Sequence, residues 1–338
     1  MSKEDIYILG IESSCDDTAA AILKNDEVLS NCIANQEIHK KYGGVVPELA
    51  SRAHLSNIIP VVSQALDEAK INPEMLSAIA FTIGPGLIGS LLVGTEFSKA
   101  LGLSLNIPII EVNHMQAHLL VHYIKSNKKS PDFPFLGVTI SGGHTQFVIV
   151  EDYLKMNIIG ETLDDAIGEA FDKCGKIIGL DYPAGPEIDK LAKEGDCEKF
   201  VFPIPKVEGF NISYSGTKTA FMNFINNSTL KDSDFIQKNK IDICASIQKN
   251  LIDNLILKIR YASKMKSLKR IVIGGGVSAN SFLKDSLKLE ENNWEIFIPP
   301  LNYTTDNAAM IGIVGYFKYL KGMFSDYNTI ASPRLKFK

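Results

Sequence analysis

Apolar and polar positions along the chain follow two periods. Short apolar runs bounded by small or charged residues read as strands at 6–11, 19–23, 78–83, 107–112, 270–273 and 294–298. Apolar residues at helical spacing predict helices at 51–70, 87–105, 164–178, 235–265 and 306–321, and a shorter one running from the strand at 107–112 through Tyr123. Gly84-Pro85-Gly86 breaks the third strand before its helix, and Tyr182-Pro183-Ala184-Gly185-Pro186 reads as a loop. Residues 126–132 are polar, carry lysines and Pro131, and form the best linker candidate. Strands alternate with helices on both sides of it, which predicts two α/β lobes.

The pattern after the linker repeats the one at the start. Leu9-Gly10-Ile11 and Leu136-Gly137-Val138 stand 127 residues apart, and at the same offset Ser14 meets Ser141, Thr18 meets Thr145 and Ile22 meets Ile149. Each copy reads strand, small polar turn, strand. A Ser/Gly-rich turn can aim backbone N–H groups at a phosphate. Two such hairpins, each opening a lobe, predict a phosphate clamp between the lobes.

Charge and cysteine usage narrow the class. The 338 residues include 35 Lys and Arg against 39 Asp and Glu, a net charge of −4. A protein that binds nucleic acid unaided usually has a basic surplus, so any RNA contact here needs a local patch or a partner. Lys258, Arg260, Lys264, Lys266, Lys269 and Arg270 form the best such run. The five cysteines are widely spaced with no CxxC, which argues for a reducing compartment and against a disulfide frame or a cysteine zinc site. The N-terminal residues show no signal or transit pattern, and no apolar run is long enough to span a membrane, so a cytoplasmic location is expected.

Five groups carry candidate chemistry. His114 and His118 in His-Met-Gln-Ala-His share one helical face and suit zinc or ferrous iron, with His122 a turn further on. Met115 stands where a zincin would have its glutamate base, which weighs against a metalloprotease. Asp306 opens the last helix, where it either caps that helix or completes a two-His metal site. Ser141-Gly142-Gly143-His144-Thr145 and Gly274-Gly275-Gly276 are turns that allow close backbone approach to an anion. Asn280 reads as a nucleoside contact or a helix cap, and Asp172-Lys173 as hydroxyl or phosphate ligands or a solvated face.

Taken together these residues resemble a known family. Ile11-Glu12-Ser13-Ser14-Cys15-Asp16-Asp17-Thr18, the His114 and His118 pair, Ser141-Gly142-Gly143-His144-Thr145-Gln146, Gly168-Glu169-Ala170-Phe171-Asp172-Lys173, Tyr182 to Pro186, Gly274 to Asn280 and Thr305-Asp306-Asn307 occur in the order seen in tRNA N6-adenosine threonylcarbamoyltransferases. The resemblance covers residues from about 8 to about 315. It implies the two-lobed actin-like α/β fold shared by actin, Hsp70 and sugar kinases, with lobes at 1–130 and 131–305 and a C-terminal helix at 306–338 returning to the first lobe.

The resemblance implies transfer of a threonylcarbamoyl group from threonylcarbamoyl-AMP to the N6 amine of adenosine 37 in tRNAs reading ANN codons, with release of AMP. It implies that His114, His118 and Asp306 hold one divalent metal, Fe2+ or Zn2+. Thr139, Ile140, Ser141, Gly142 and Gly143 would contact the adenylate and acyl phosphate. Asp172, Gly185, Asp189 and Asn280 would contact the nucleoside, and ATP is a further candidate ligand. Expected partners are tRNA, a paralogous actin-like subunit and a small P-loop ATPase, with no membrane. Gln116 departs from the glutamate common at that place in bacterial members. A small-molecule kinase of the same fold is the leading alternative; it shares the hairpins but leaves the His pair idle. A non-enzymatic clamp of the Hsp70 type lacks room here for a peptide-binding extension.

Overall fold

A computed structural model describes residues 5–36, 39 and 42–337. Residues 1–4, the start of the segment searched for a targeting signal, lie outside the described residues. The chain forms two compact units, Met1–Pro131 with Pro299–Lys338, and Asp132–Ile298.

The first unit is built on β1 (Tyr7–Glu12), β2 (Thr18–Lys24), β3 (Glu27–Ala34), β4 (Ala78–Gly84) and β5 (Ile109–Asn113), in the order β3-β2-β1-β4-β5. β1 pairs antiparallel with β2 and parallel with β4. β1, β2 and β4 are buried along almost their whole length because both faces of the sheet are covered there. Leu9 and Ile11 of β1 cluster with Ile58, Val61 and Val62 of α1 (Pro47–Ala69) and Leu91 of α2 (Ile88–Leu105). The alternate positions of β1 turn the other way, towards α9 (Ala308–Leu320). A Cβ on Gly10 would lie 2.4 Å from the Ala308 carbonyl oxygen and 2.8 Å from the Gly312 nitrogen, so only glycine lets α9 settle against the sheet. Burial of each large side chain in such a core stabilises by about 1.5–3 kcal/mol.

The second unit repeats this plan. β6 (Phe135–Ile140), β7 (Thr145–Asp152), β8 (Lys155–Glu161), β9 (Arg270–Gly274) and β10 (Glu295–Phe297) lie in the order β10-β9-β6-β7-β8. That is the first sheet's order with each strand replaced by its counterpart. The offset of 127 read from the sequence is the true hairpin register. Leu9 pairs with Ile22 and Leu136 with Ile149; Gly10 pairs with Ala21 and Gly137 with Val148. Leu136, Val138, Ile140, Phe147, Ile271 and Ile273 pack with side chains from α4 (Ile167–Ile177), α5 (Ala184–Ala192), α6 (Ser215–Lys231), α7 (Phe235–Lys266) and α8 (Ser281–Lys288).

Four elements go beyond the pattern reading. β3 and β8 have no regular alternation of buried and exposed residues, so their sequences give a weak strand signal. α6 buries Thr217, Phe221 and Ile225 at four-residue spacing in an otherwise polar segment. α5 begins inside the segment read as a loop: Pro183 is its N-cap and Pro186 lies in its first turn, where a missing N–H costs nothing. No helix among the described residues is long and apolar enough to cross a membrane.

Candidate functional site

The site in the first unit starts at the β5–α3 junction. Asn113 ends β5 and caps α3 (His114–Leu120), its side-chain oxygen accepting from the N–H groups of Met115 (2.9 Å) and Gln116 (3.2 Å). This fixes the first turn and sets His114 and His118 on one face, their rings 4.7 Å apart and edge-on. α3 ends at Leu120, and His122 follows in a separate 3₁₀ turn (Val121–Tyr123). The sequence could not say whether Asp306 caps the last helix. It does not: Asn307 is the cap, accepting from the Met310 N–H at 3.0 Å. Asp306 Oδ1 instead lies 3.4 Å from His114 Nε2 and 3.2 Å from His118 Nε2. One ligand atom from each of the three residues lies within 4.8 Å of the others.

Glu12 belongs to the Ile11–Thr18 motif, and its role comes from its place in the fold. It is fully buried at the end of β1, and its carboxylate accepts from His114 Nδ1 at 2.9 Å and from the Thr82 hydroxyl at 2.6 Å. Ser14 Oγ is 3.2 Å from the same Nδ1. A metal-binding histidine usually gives its other ring N–H to a carboxylate, which fixes the tautomer and raises ligand basicity. Glu12 does this for His114 and leaves Nε2 to face Asp306. The signal in the sequence was a carboxylate closing an otherwise apolar strand.

The electrostatics fit a cation. Burial opposes the charged form of each group here. In Asp306 the His114 charge and the hydrogen bonds from both imidazoles outweigh burial and hold the carboxyl well below its usual range. Glu12 is likewise lowered, against burial, by His114. His114 lies between the two carboxylates, which raise it well above its ordinary value despite burial. His118 is lowered, chiefly by burial, and so is neutral, as a metal ligand must be. Burial, then the charges of Asp16, Asp306 and Glu12, push the Asp17 carboxyl up to about 7. Burial pushes the Cys15 thiol far up, so it is no ready nucleophile. Two imidazoles and a carboxylate that leave further positions open match zinc or ferrous iron, and the donor set fits such an ion.

This arrangement gives a pH prediction. In the metal-free site His114 is protonated near neutrality, and a ligating imidazole must be neutral. Loading zinc at pH 7 is therefore expected to release at least about one proton per site, and affinity should fall as pH falls. Calorimetry in two buffers of different ionisation enthalpy measures the number; release of none would show that His114 does not ligate.

In the second unit, the β6–β7 turn is closed by the Ser141 N–H on the His144 carbonyl (2.9 Å) and by the His144 N–H on Ser141 Oγ (3.1 Å). Side chains added at Gly142 or Gly143 would meet nothing within 4 Å, so this turn is open. The α4 N-terminus stands behind it, with the Gly168 N–H on the Ser141 carbonyl at 3.2 Å. Gly275 approaches from the other side with φ of +96°, and a Cβ there would lie 2.5 Å from the Ile140 carbonyl oxygen. The Thr139 hydroxyl, on β6, is buried without a partner.

The expected nucleoside residues are tied to helix ends. Asp172 accepts from the Ala184 N–H at 2.7 Å and from the Gly185 N–H at the start of α5; burial raises its carboxyl. Asp189 accepts from the N–H and hydroxyl of Ser281. Asn280 caps α8 through the Leu283 N–H at 2.9 Å and donates to Gln248 Oε1 at 2.8 Å. The structure thus brings His114, His118 and Asp306 together in one unit, and links Asp172 to Gly185 and Asp189 to the residue beside Asn280 in the other.

The basic run is partly used up by the protein itself. Lys258 donates to the Val207 and Gly209 carbonyls, Arg260 pairs with Glu290, and Arg270 with Glu295. Lys264, Lys266 and Lys269 remain exposed.

Comparison with solved structures places the fold. HypF from T. kodakarensis superimposes with a TM-score of 0.63 over 96% of this chain and 49% of that one, at 14% identity. Component A of the (R)-2-hydroxyglutaryl-CoA dehydratase of Acidaminococcus fermentans gives 0.53 over 94% and 98%, at 17% identity. The duplicated five-stranded plan and these neighbours show that the chain has the actin-like α/β fold. The family model for tRNA N6-adenosine threonylcarbamoyltransferase matches residues 27–313. Proteins of that description from Christiangramia forsetii and Porphyromonas gingivalis are 58% and 52% identical, over 100% and 98% of this chain and 100% and 99% of theirs. The chain belongs to the tRNA N6-adenosine threonylcarbamoyltransferase family. It is a transferase that modifies tRNA, and the kinase alternative gains no better support.

Proposed function

We propose that the chain transfers the threonylcarbamoyl group of threonylcarbamoyl-AMP to the N6 amine of adenosine 37 in tRNAs that read ANN codons. The N6 nitrogen bonds to the carbamoyl carbon and the bond from that carbon to the phosphate oxygen breaks. The electron pair leaves with AMP, and the amine proton passes to solvent. The observation that carries this reading is the convergence of both Nε2 atoms on one oxygen of Asp306, with Glu12 behind His114.

His114, His118 and Asp306 would hold one divalent metal, iron first and zinc second. When bound, the metal supplies Lewis-acid withdrawal of charge from the acyl phosphate. Glu12 keeps the His114 proton on Nδ1. In the second unit, the backbone of Thr139, Ile140, Ser141, Gly142 and Gly143 would hold phosphate oxygens. Asp172, Gly185, Asp189 and Asn280 would line the nucleoside part, held by the bonds of Asp172 to the start of α5 and of Asp189 and Asn280 to the start of α8. A cytoplasmic location suits a tRNA substrate.

The net charge and the three exposed lysines give little attraction for a polyanion. A paralogous actin-like subunit and a small P-loop ATPase would supply the rest. The purified chain, given threonylcarbamoyl-AMP and tRNA, should act slowly or once, and adding both partners should restore multiple turnover. Reversing Lys264, Lys266 and Lys269 to Glu should weaken tRNA binding at low salt without changing metal content. Mass spectrometry of the nucleosides reads the product. Loss of the modified nucleoside on depletion supports the reaction, and its persistence overturns it. Many turnovers by the lone chain would remove the need for partners.

A further inference from the structure

The turn that joins β1 to β2 carries Ser13 to Asp17, and it leads directly from Glu12, behind His114. It is held by its backbone. The Leu87 N–H donates to the Ser14 carbonyl at 2.8 Å, and the Ser90 hydroxyl donates to the Cys15 carbonyl at 2.9 Å. Ser13 Oγ in turn donates to the Ser90 carbonyl at 3.0 Å.

A second group on the Cys15 carbonyl comes from α1. His54 is fully buried, with Nε2 3.0 Å from that carbonyl and Nδ1 2.8 Å from the Thr18 hydroxyl. A carbonyl only accepts, so the proton sits on Nε2. Nδ1 then accepts from the Thr18 hydroxyl. Burial keeps the imidazole below its ordinary pKa and hence neutral. One side chain therefore ties the middle of the turn, at the Cys15 backbone, to the first residue of β2.

We infer that His54 is a positioning residue for the metal centre: it fixes the 13–17 turn so that Glu12 and Ser14 stay on His114 Nδ1. This rests on the metal reading above. The critical bond is the one to Cys15, because Thr18 is already fixed by its strand pairing with Ala34.

Two variants of similar size separate the bonds. In His54→Gln the side-chain amide nitrogen can take the place of Nε2 and donate to Cys15. In His54→Asn the amide oxygen can take the place of Nδ1 and accept from Thr18, and the Cys15 contact is lost. Three readouts apply: amide exchange at Leu87 and residues 14–18 in the metal-free chain, zinc affinity by chelator competition, and kcat and KM for tRNA. For His54→Asn we expect exchange about tenfold faster, zinc binding about tenfold weaker and kcat about tenfold lower, at unchanged KM, by analogy with groups that orient metal ligands. His54→Gln should stay within about threefold on each readout, on the same basis.

Equal effects in the two variants would overturn the inference, because a merely space-filling histidine would not distinguish them. So would unchanged exchange and zinc affinity in His54→Asn. His114→Ala runs in parallel: if it binds zinc normally, the metal reading fails, and the turn is then judged on exchange alone. Faster exchange in His54→Asn would still support the positioning of the turn, and unchanged exchange would overturn it.

Discussion

His118→Ala is expected to abolish metal binding at the proposed site and to cut transfer about a thousandfold, while thermal melting stays close to that of the parent chain. Lewis-acid stabilisation is worth several kcal/mol, and each 1.36 kcal/mol is a factor of ten in rate. His118 is neutral in the metal-free site, so its removal strands no opposite charge. His114→Ala should lose metal and activity equally but should also melt lower. It removes the imidazolium between Glu12 and Asp306, and a buried carboxylate left without its partner costs about 3–5 kcal/mol. Metal analysis, thermal melting and assay of the modified nucleoside test both. Full metal content with normal transfer in either variant would sink the ligand assignment. Identical melting of the two would show that Glu12 does not depend on His114.

Gly10→Ala is expected to weaken the proposed metal site from a distance by displacing Asp306. The new methyl would overlap the Ala308 carbonyl and the Gly312 backbone, and neither can turn aside as a side-chain tip can. α9 has to lift from the sheet, and forced overpacking costs about 1–3 kcal/mol or more. Asp306 lies just ahead of α9, so the shift carries its carboxylate away from the two imidazoles. Lower melting and lower zinc affinity should appear together. Gly143→Ala is the control for melting, since its methyl enters open space. Unchanged melting and zinc affinity in Gly10→Ala would mean that α9 does not rest on Gly10.

The hairpin repeat was legible because strand pairing copies sequence offsets: two hairpins with the same turn length keep the same spacing between partners. The shared face of His114 and His118 was legible because helical geometry alone sets a four-residue spacing. The start of α5 was not legible, because proline and glycine mark a helix N-terminus as readily as a loop. Asp306 was ambiguous for a similar reason. Its neighbour Asn307 is as good a cap, and local preference cannot choose between them.

By itself, the sequence determined where most of the strands and helices lie, that the hairpin is duplicated, and that two imidazoles share a face. These depend on neighbours within a few turns or on a repeated offset. Only the tertiary structure decided what meets those imidazoles. Glu12 reaches His114 across 102 residues, and Asp306 reaches His118 across 188. Both contacts exist because β1 and β5 flank β4 in one sheet and α9 packs on that sheet at a glycine. Such a site is set by chain packing. No local spacing encodes it, and a carboxylate at the end of an apolar strand shows its purpose only when its partner arrives from elsewhere in the fold.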